Sequence, residues 1–133
     1  MRGIDFHDSF KPQHCDSCST NTAATITAGE DWGDIYSAAH EHDLTLVGGT
    51  GDTIGIGGYL TGGGHSPLSA KLGLAVDQVL EIEVVLASGE VVIANEVQNS
   101  DLFWAMRGVS SSIARHDLQT DIKTRAEEPH SAS

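Results

Sequence analysis

Runs of alternating or β-branched residues predict several short β-strands in this chain. Residues 2–7 alternate roughly between apolar and polar side chains, and Ala23 to Ala28 is rich in β-branched residues, which favour extended backbone. Leu44 to Val47 is mostly apolar and is predicted to be a buried strand. The run from Leu80 to Ala87, a tight turn at Ser88-Gly89 and the apolar run that follows it predict a β-hairpin.

Apolar residues at three- and four-residue intervals predict two helices. The first should run from Asp31 to Asp43, and the second should cover the segment DLFWAMRG, with Ser100 or Asp101 at its start. The positions expected to face the core are Trp32, Ile35, Tyr36 and Ala39 in the first helix and Leu102, Phe103 and Met106 in the second.

The character of the chain changes after Gly108. Residues 109–133 contain almost no large apolar side chains and no sustained periodicity, so we expect them to be a polar tail that is disordered or weakly helical. The predicted organisation is therefore a folded part over residues 1–108 followed by this tail.

Composition narrows the classes of partner. A chain of 133 residues is long enough for one domain. Its net charge of −12 argues against nucleic acid and against anionic membranes as partners. No apolar run is long enough to span a membrane, and the first ten residues lack the apolar core of a signal peptide.

Cys15 and Cys18 form the only cysteine pair. A zinc site would need about four ligands, and the spacing to His7 and His14 matches no common zinc site. A thioredoxin-like motif should lie between a strand and a helix, whereas this pair lies in a Ser- and Thr-rich loop. We therefore expect two loop cysteines, either free or joined locally, and no metal ligand among them.

The densest signal is the run from Gly48 to Gly64, in which nine of seventeen residues are glycine. Glycine is unfavourable for backbone entropy unless the chain needs positive φ angles or a close approach to a ligand. Consecutive glycine N–H groups can surround phosphate oxygens, so this loop predicts a site for a phosphate-bearing cofactor. The competing interpretation is that the glycines only build tight turns between strands.

Several motifs in this part of the chain occur in the order of a known family. They are G-x-G-G-x-x-x-G-G-G from Gly55, K-x-G-L-A-x-D-x-V from Lys71, V-V-x-A-x-G-x-V-V from Val84 and D-L-F-W-A-x-R-G from Asp101. Together they resemble the second half of a PCMH-type FAD-binding domain of FAD-linked oxidases of the berberine-bridge and vanillyl-alcohol-oxidase type. The resemblance covers roughly Arg2 to Gly108. It implies an α+β fold, a partial PCMH-type domain with a mixed or antiparallel sheet flanked by helices.

The resemblance implies that this region holds FAD. Gly51 to Gly58 would follow the path from the isoalloxazine to the pyrophosphate, Gly62 to Gly64 would let the main chain pass close to the cofactor, and Leu74 to Val79 would face the adenosine. Tyr59 and His65 are expected to be structural or close to FAD. The candidate cofactor-binding residues are Gly51, Asp52, Thr53, Gly55, Gly57, Gly58, Gly62, Gly63, Gly64, Leu74, Asp77 and Val79.

The chain departs from this family at three places. The cysteine that bonds covalently to flavin in some members corresponds to Gly51, so a cysteinyl link is excluded there. The loop that carries the flavin-linked histidine is absent, and His7 does not match it. The resemblance stops at Gly108, so we expect the closing strand and the substrate domain to be missing and the chain to be a truncated product.

Three functions follow from these observations. The chain is the FAD-binding portion of an FAD-dependent oxidoreductase that, in the intact family, moves a hydride from an alcohol, sugar or benzylic donor to flavin and then reduces oxygen. Alternatively, it is a non-catalytic fragment or interaction module that binds FAD weakly or not at all. The third and weakest alternative is a generic phosphate-binding or structural α+β module. No catalytic base can be assigned in any of them.

Overall fold

The computed structural model describes residues 3–107 and 118–126, which form one antiparallel sheet with helices along it. The strands are β1 (Ile4–Phe10), β2 (Asn21–Thr27), β3 (Val79–Val85), β4 (Val91–Asn95) and β5 (Leu118–Arg125). The helices are α1 (Trp32–Glu41), α2 (Ile56–Thr61), α3 (Ser69–Leu72), α4 (Ala75–Gln78) and α5 (Ser100–Met106).

The sheet is ordered β1-β2-β5-β3-β4, and every neighbouring pair is antiparallel. One row of apolar residues crosses all five strands in register: Ile4, Ile26, Ile122, Ile82 and Ala94. All of them except Ile4 are buried. Cross-strand apolar neighbours stabilise a sheet, and this row lies in the same core as the buried face of α1.

The expectation of a disordered tail is wrong for residues 118–126. Leu118–Arg125 forms the central strand of the sheet, between β2 and β3. From Asp121 to Thr124 its side chains alternate, with Ile122 and Thr124 buried, but two large apolar residues four positions apart are too weak a pattern to predict a strand. The remainder of 109–133 lies outside the described residues.

Two further expectations are corrected by the fold. Leu44 to Val47 is not a strand of the described sheet, although Leu46 and Val47 are buried. The glycine-rich run is not a continuous loop, because Ile56–Thr61 forms α2. Ile56 and Leu60 lie one helical turn apart and are both buried, so this short helix is stabilised by packing against the core.

The other predicted elements are present. The hairpin is formed by β3 and β4, and the two predicted helices are α1 and α5. Trp32, Ile35 and Ala39 give α1 its buried face, and Phe103 and Met106 do so for α5. The α+β class and the antiparallel sheet are therefore confirmed. None of the described helices is long and apolar enough to cross a membrane.

Candidate functional site

Three backbone hydrogen bonds hold the glycine-rich run against the start of α1. The N–H of Trp32 donates to the Ile54 carbonyl, and the N–H of Gly33 donates to the Asp52 carbonyl, both at 3.0 Å. In the opposite direction, the N–H of Ile56 donates to the Glu30 carbonyl at 3.0 Å. The turn that precedes α2 is therefore fixed to α1 through the main chain, independently of its side chains.

An aromatic cluster stands behind this turn. The ring of Trp32 lies 5.5 Å from that of Tyr36 and 5.3 Å from that of Tyr59, centroid to centroid. The Tyr36 hydroxyl donates to the Gly49 carbonyl at 2.6 Å, and the Tyr59 hydroxyl donates to the His65 carbonyl. The three rings thus connect both ends of the glycine-rich run to α1.

The glycines allow the main chain to pass directly against these rings. A Cβ atom at Gly48 would overlap the indole of Trp32, and one at Gly49 would lie 3.1 Å from Cε2 of Tyr59. Gly64 has a φ of +74°, and a Cβ there would lie 2.6 Å from the Cβ of Ala75. Side chains are excluded at these positions by contact as well as by backbone conformation.

A cleft of about 560 Å³ opens beside this arrangement. Its walls are Tyr36, Ala39 and His40 of α1, the two segments 44–46 and 48–50, Asp52, and residues 66–68. Gly48 and Gly49 are buried, yet their N–H groups donate to no acceptor among the described residues. Buried N–H groups are nearly always paired, so these two amides are candidate donors to a ligand.

Both tyrosines of the cluster are held in the protonated form. Burial, with a smaller contribution from Tyr59, raises the pKa of Tyr36 to about 12. Burial also raises the pKa of Tyr59. Their hydroxyls therefore act as hydrogen-bond donors to the main chain at neutral pH, which keeps the glycine-rich run in one conformation.

The structure brings one group of predicted site residues together at α4. The N–H of Ala75 donates to the Gly64 carbonyl at 2.9 Å, and the N–H of Val76 donates to the Gly63 carbonyl at 3.4 Å. Gly62, Gly63 and Gly64 therefore adjoin Leu74, the residue that caps α4. The carboxylate of Asp77 accepts a 2.8 Å hydrogen bond from the Leu74 N–H, so one of its oxygens already stabilises this helix.

The other predicted residues occupy different positions. Gly51, Asp52 and Thr53 lie in the turn before α2, Gly55 caps that helix, and Gly57 and Gly58 lie within it. Val79 is separate from both groups, because its side chain is buried in the core at the start of β3. A contact from Val79 to a cofactor would have to come from its main chain.

Sequence reasoning missed the part that α1 plays in this site. The apolar spacing predicts only that Trp32 and Tyr36 lie on the apolar face of a helix. Trp32 is 1% exposed, and its Nε1 has no hydrogen-bond partner among the described residues. A buried indole N–H normally finds a partner, but a helical pattern shows only that a residue is apolar and gives no sign of such an unpaired donor.

The cysteine loop holds a disulfide. Cys15 and Cys18 are bonded to each other, which decides between the free and the joined forms. Among the described residues, no three His, Cys, Asp or Glu side chains are arranged to hold a metal ion.

Residues 5–95 match the protein family described as FAD binding domain. This match covers more than half of the chain. The chain therefore belongs to the FAD-binding domain family. Its resemblance to FAD-linked oxidases is thereby confirmed, and FAD is the cofactor that the family binds.

Individual relatives agree with this assignment. The chain is 42% identical over 130 residues to the FAD-linked oxidoreductase ffsJ of Aspergillus flavipes. This alignment covers 97% of this chain and 21% of the relative. The VAO-type flavoprotein MtVAO713 from Myceliophthora thermophila C1 superposes with a TM-score of 0.84 at 34% identity, covering 94% of this chain and 22% of that one. Glucooligosaccharide oxidase from Acremonium strictum, with a 6-S-cysteinyl, 8α-N1-histidyl FAD, superposes with a TM-score of 0.79 at 27% identity over 96% of this chain and 24% of its own.

These alignments correct the expectation that the resemblance ends at Gly108, and they show how much of each relative the chain spans. Because an alignment over 97% of 133 residues must extend past Gly108, the resemblance does not stop there. It includes β5, the central strand of this FAD-binding fold. The chain spans about a fifth of the length of the relatives that it matches.

Proposed function

We propose that this chain supplies the glycine-rich FAD-binding surface of an FAD-dependent oxidoreductase that oxidises a small molecule with an alcohol, sugar or benzylic C–H group. The observation that carries the proposal is the main chain of Gly48 and Gly49, which is buried beside an open cleft and whose N–H groups have no acceptor among the described residues. A cofactor with phosphate and carbonyl oxygens supplies the acceptors that these amides need.

The residues present fit FAD in three respects. The cleft of about 560 Å³ lies within the usual size of cofactor sites. Its floor is backbone without side chains, because Trp32 leaves no room for a Cβ at Gly48. The N–H groups of Gly48 and Gly49, which line the cleft, have no acceptor in the described part of the chain. Two such amides and a glycine surface suit a planar, oxygen-rich cofactor.

We assign separate parts of the cofactor to the two groups of site residues. Gly51 to Gly58 would lie along the path from the isoalloxazine to the pyrophosphate, and Gly62 to Gly64 would allow close approach of the main chain. Leu74 and Asp77 would face the adenosine, with the second carboxylate oxygen of Asp77 as the polar partner. The hydrogen bonds that join Gly63 and Gly64 to α4 support this order, because they place those two regions side by side.

The chemistry would belong to the cofactor, and this chain would hold and orient it. FAD, when bound, accepts a hydride and passes electrons to oxygen. Tyr36 and Tyr59 remain protonated and fix the carbonyls of Gly49 and His65, which keeps the cleft in a binding-competent shape. No group in the described residues is assigned as the base or as a contact to the substrate.

Because residue 51 is a glycine, we propose that the flavin at this site has no cysteinyl bond to the chain. Gly51 has no thiol, and a Cβ there would meet only the Ile54 side chain, 2.6 Å from Cδ1. A flavin at this position would therefore be held without a cysteinyl bond, in contrast to the 6-S-cysteinyl FAD of the Acremonium strictum oxidase.

The second candidate function is a non-catalytic module with weak or no affinity for FAD. It is favoured by the lining of the larger cleft, which includes Asp52 but none of the other eleven candidate cofactor-binding residues. A surface that covers only part of FAD gains part of the contact energy, whereas association still has the full entropic cost.

Retention of FAD separates the two functions. The purified chain would be incubated with FAD, passed through a desalting column and examined for visible flavin absorbance. We expect retained flavin that is lost in Gly63→Val and kept in Gly89→Val. Both glycines have positive φ angles, +102° and +87°, and open space at the Cβ position, so the two variants carry the same backbone strain. Gly89 lies in the β3–β4 turn, away from the site.

A chain that melts cooperatively but retains no flavin would support the second function. Equal loss of flavin in both glycine variants would show that backbone strain, and not blockage of the site, had removed the binding.

A further inference from the structure

The disulfide between Cys15 and Cys18 lies outside the FAD site, in the loop between β1 and β2. Its two cysteine residues are not equally exposed. Cys15 is 4% exposed, whereas Cys18 is partly exposed and forms part of the wall of a second cleft of about 270 Å³. This cleft shares no wall residue with the larger one.

The second cleft is polar and carries both signs of charge. Ser17, Ser19 and Asn21 line it beside Cys18, together with Arg125 and Glu96. A carboxylate on a ligand would be attracted to Arg125, and an ammonium group to Glu96. The site is therefore complementary to a small zwitterion that can approach Cys18.

The loop is anchored independently of the disulfide. The N–H of Gln13 donates to Oε2 of Glu81 at 2.7 Å, and Nδ2 of Asn95 donates to the Gln13 carbonyl at 3.0 Å. Glu81 and Asn95 are both fully buried. Because these bonds hold the loop to the sheet, opening a disulfide that joins residues three apart leaves the surrounding fold in place.

We propose that this cysteine pair is a thiol–disulfide exchange site, at which Cys18 forms a mixed disulfide with a small zwitterionic thiol of the glutathione class. The thiolate of the ligand attacks Sγ of Cys18, a new S–S bond forms there, and the Cys15–Cys18 bond breaks with its electron pair on Sγ of Cys15. Cys15 takes up the proton that the ligand thiol lost.

Two reactions can resolve the mixed disulfide. The thiolate of Cys15 attacks Cys18 again, which restores the internal disulfide and releases the ligand thiol. Otherwise a second ligand thiol attacks the ligand sulfur, which yields the oxidised ligand disulfide and leaves Cys15 and Cys18 as two thiols. In that case two ligand thiols are oxidised, one protein disulfide is reduced, and the two protons pass to the cysteines.

The intact wild-type chain gives the first test. It would be mixed with reduced glutathione, quenched with acid, and digested for mass spectrometry without reductant. Glutathione on the peptide sulfur of Cys18 is expected. Glutathione found mainly on Cys15, or on neither cysteine, would overturn the proposal.

Single-cysteine variants test the same site through the reverse reaction, in which a free protein thiol attacks an oxidised ligand. Cys15→Ser, incubated with oxidised glutathione, should form a mixed disulfide about tenfold faster than Cys18→Ser, because attack depends on access to the sulfur. Arg125→Gln in the Cys15→Ser background should slow this reaction but not the reaction with the uncharged disulfide of 2-mercaptoethanol. Equal rates for the two cysteine variants, or equal slowing with both reagents, would show that the cleft does not select the ligand.

Discussion

Gly48 lies against the indole ring of Trp32 so closely that a Cβ atom at position 48 would overlap the ring. The indole is 1% exposed and is flanked by Tyr36 and Tyr59, so it has no free direction in which to move. This contact places the main chain of the glycine-rich run at the floor of the larger cleft. It therefore couples the shape of this cleft to the packing of α1.

Gly48→Ala should destabilise the fold. Overpacking a closed site typically costs about 1–3 kcal/mol, and urea denaturation would measure the change in the free energy of unfolding. The matched control is Gly58→Ala, where a Cβ meets no heavy atom within 4 Å. Because Gly58 lies inside α2, alanine there should stabilise the helix by about 0.5–1 kcal/mol. A neutral Gly48→Ala would mean that the ring can retreat from the glycine.

Tyr36→Phe should lower stability through one lost hydrogen bond. The hydroxyl donates to the buried carbonyl of Gly49, and removal of such a bond typically costs about 1 kcal/mol. The loss would be measured by urea denaturation at neutral pH, with Ser37→Ala as a control for an exposed hydroxyl on the same helix. An unchanged midpoint for Tyr36→Phe would show that water replaces the donor.

The same tyrosine predicts a dependence of stability on alkaline pH. Tyr36 has a pKa of about 12 in the folded state against 10.0 for the free side chain, so the unfolded chain ionises first. Its contribution is fully present below pH 10 and is lost as the pH rises towards 12. Unfolding midpoints measured across this interval should fall more steeply for the wild type than for Tyr36→Phe. Parallel curves for the two proteins would contradict the raised pKa.

Ile122→Ala should be strongly destabilising, because Ile122 is fully buried in the central strand between Ile26 and Ile82. Truncation of a buried isoleucine costs about 2–5 kcal/mol. The control is Val91→Ala on the edge strand, where the side chain is 57% exposed and the change should stay within about 0.5 kcal/mol. Equal midpoints for the two variants would mean that residues 118–125 do not pair in the sheet in solution.

Glu81→Ala should destabilise more than Glu81→Gln. Glu81 is fully buried, accepts hydrogen bonds from the Gln13 N–H and from Asn95 Nδ2, and lies 3.4 Å from Nζ of Lys123. Removal of one partner of a buried ion pair costs about 3–5 kcal/mol. Glutamine keeps one oxygen acceptor and should retain part of that stability. Identical unfolding midpoints for the two variants would show that neither the acceptor nor the charge matters at this position.

Local patterns predicted the elements that are stabilised by neighbours in the sequence. The apolar spacing of Trp32, Ile35 and Ala39 located α1, and the turn at Ser88-Gly89 located the β3–β4 hairpin. The order of the glycine and hairpin motifs was enough to indicate the family, which the match over residues 5–95 confirms. The individual cofactor contacts remain predictions, since they depend on how FAD lies on this surface.

Contacts between distant segments could not be predicted in this way. The cleft joins α1 to residues 66–68, and the unpaired Nε1 of Trp32 becomes visible only when the ring is packed. Helix α2 interrupts a run whose composition is typical of a loop, because burial of Ile56 and Leu60 outweighs the poor helix propensity of glycine.

The sequence alone determined the local elements, the glycine-rich surface and the family, because each is encoded by residues within a few turns of one another. The tertiary structure decided that Leu118–Arg125 is the central strand and that α1 forms one wall of the larger cleft. A central strand is held by backbone hydrogen bonds to β2 and β3, which lie far away along the chain. Those bonds use groups that every residue except proline carries in full, so a polar segment can occupy the middle of a sheet without any side-chain pattern to indicate it.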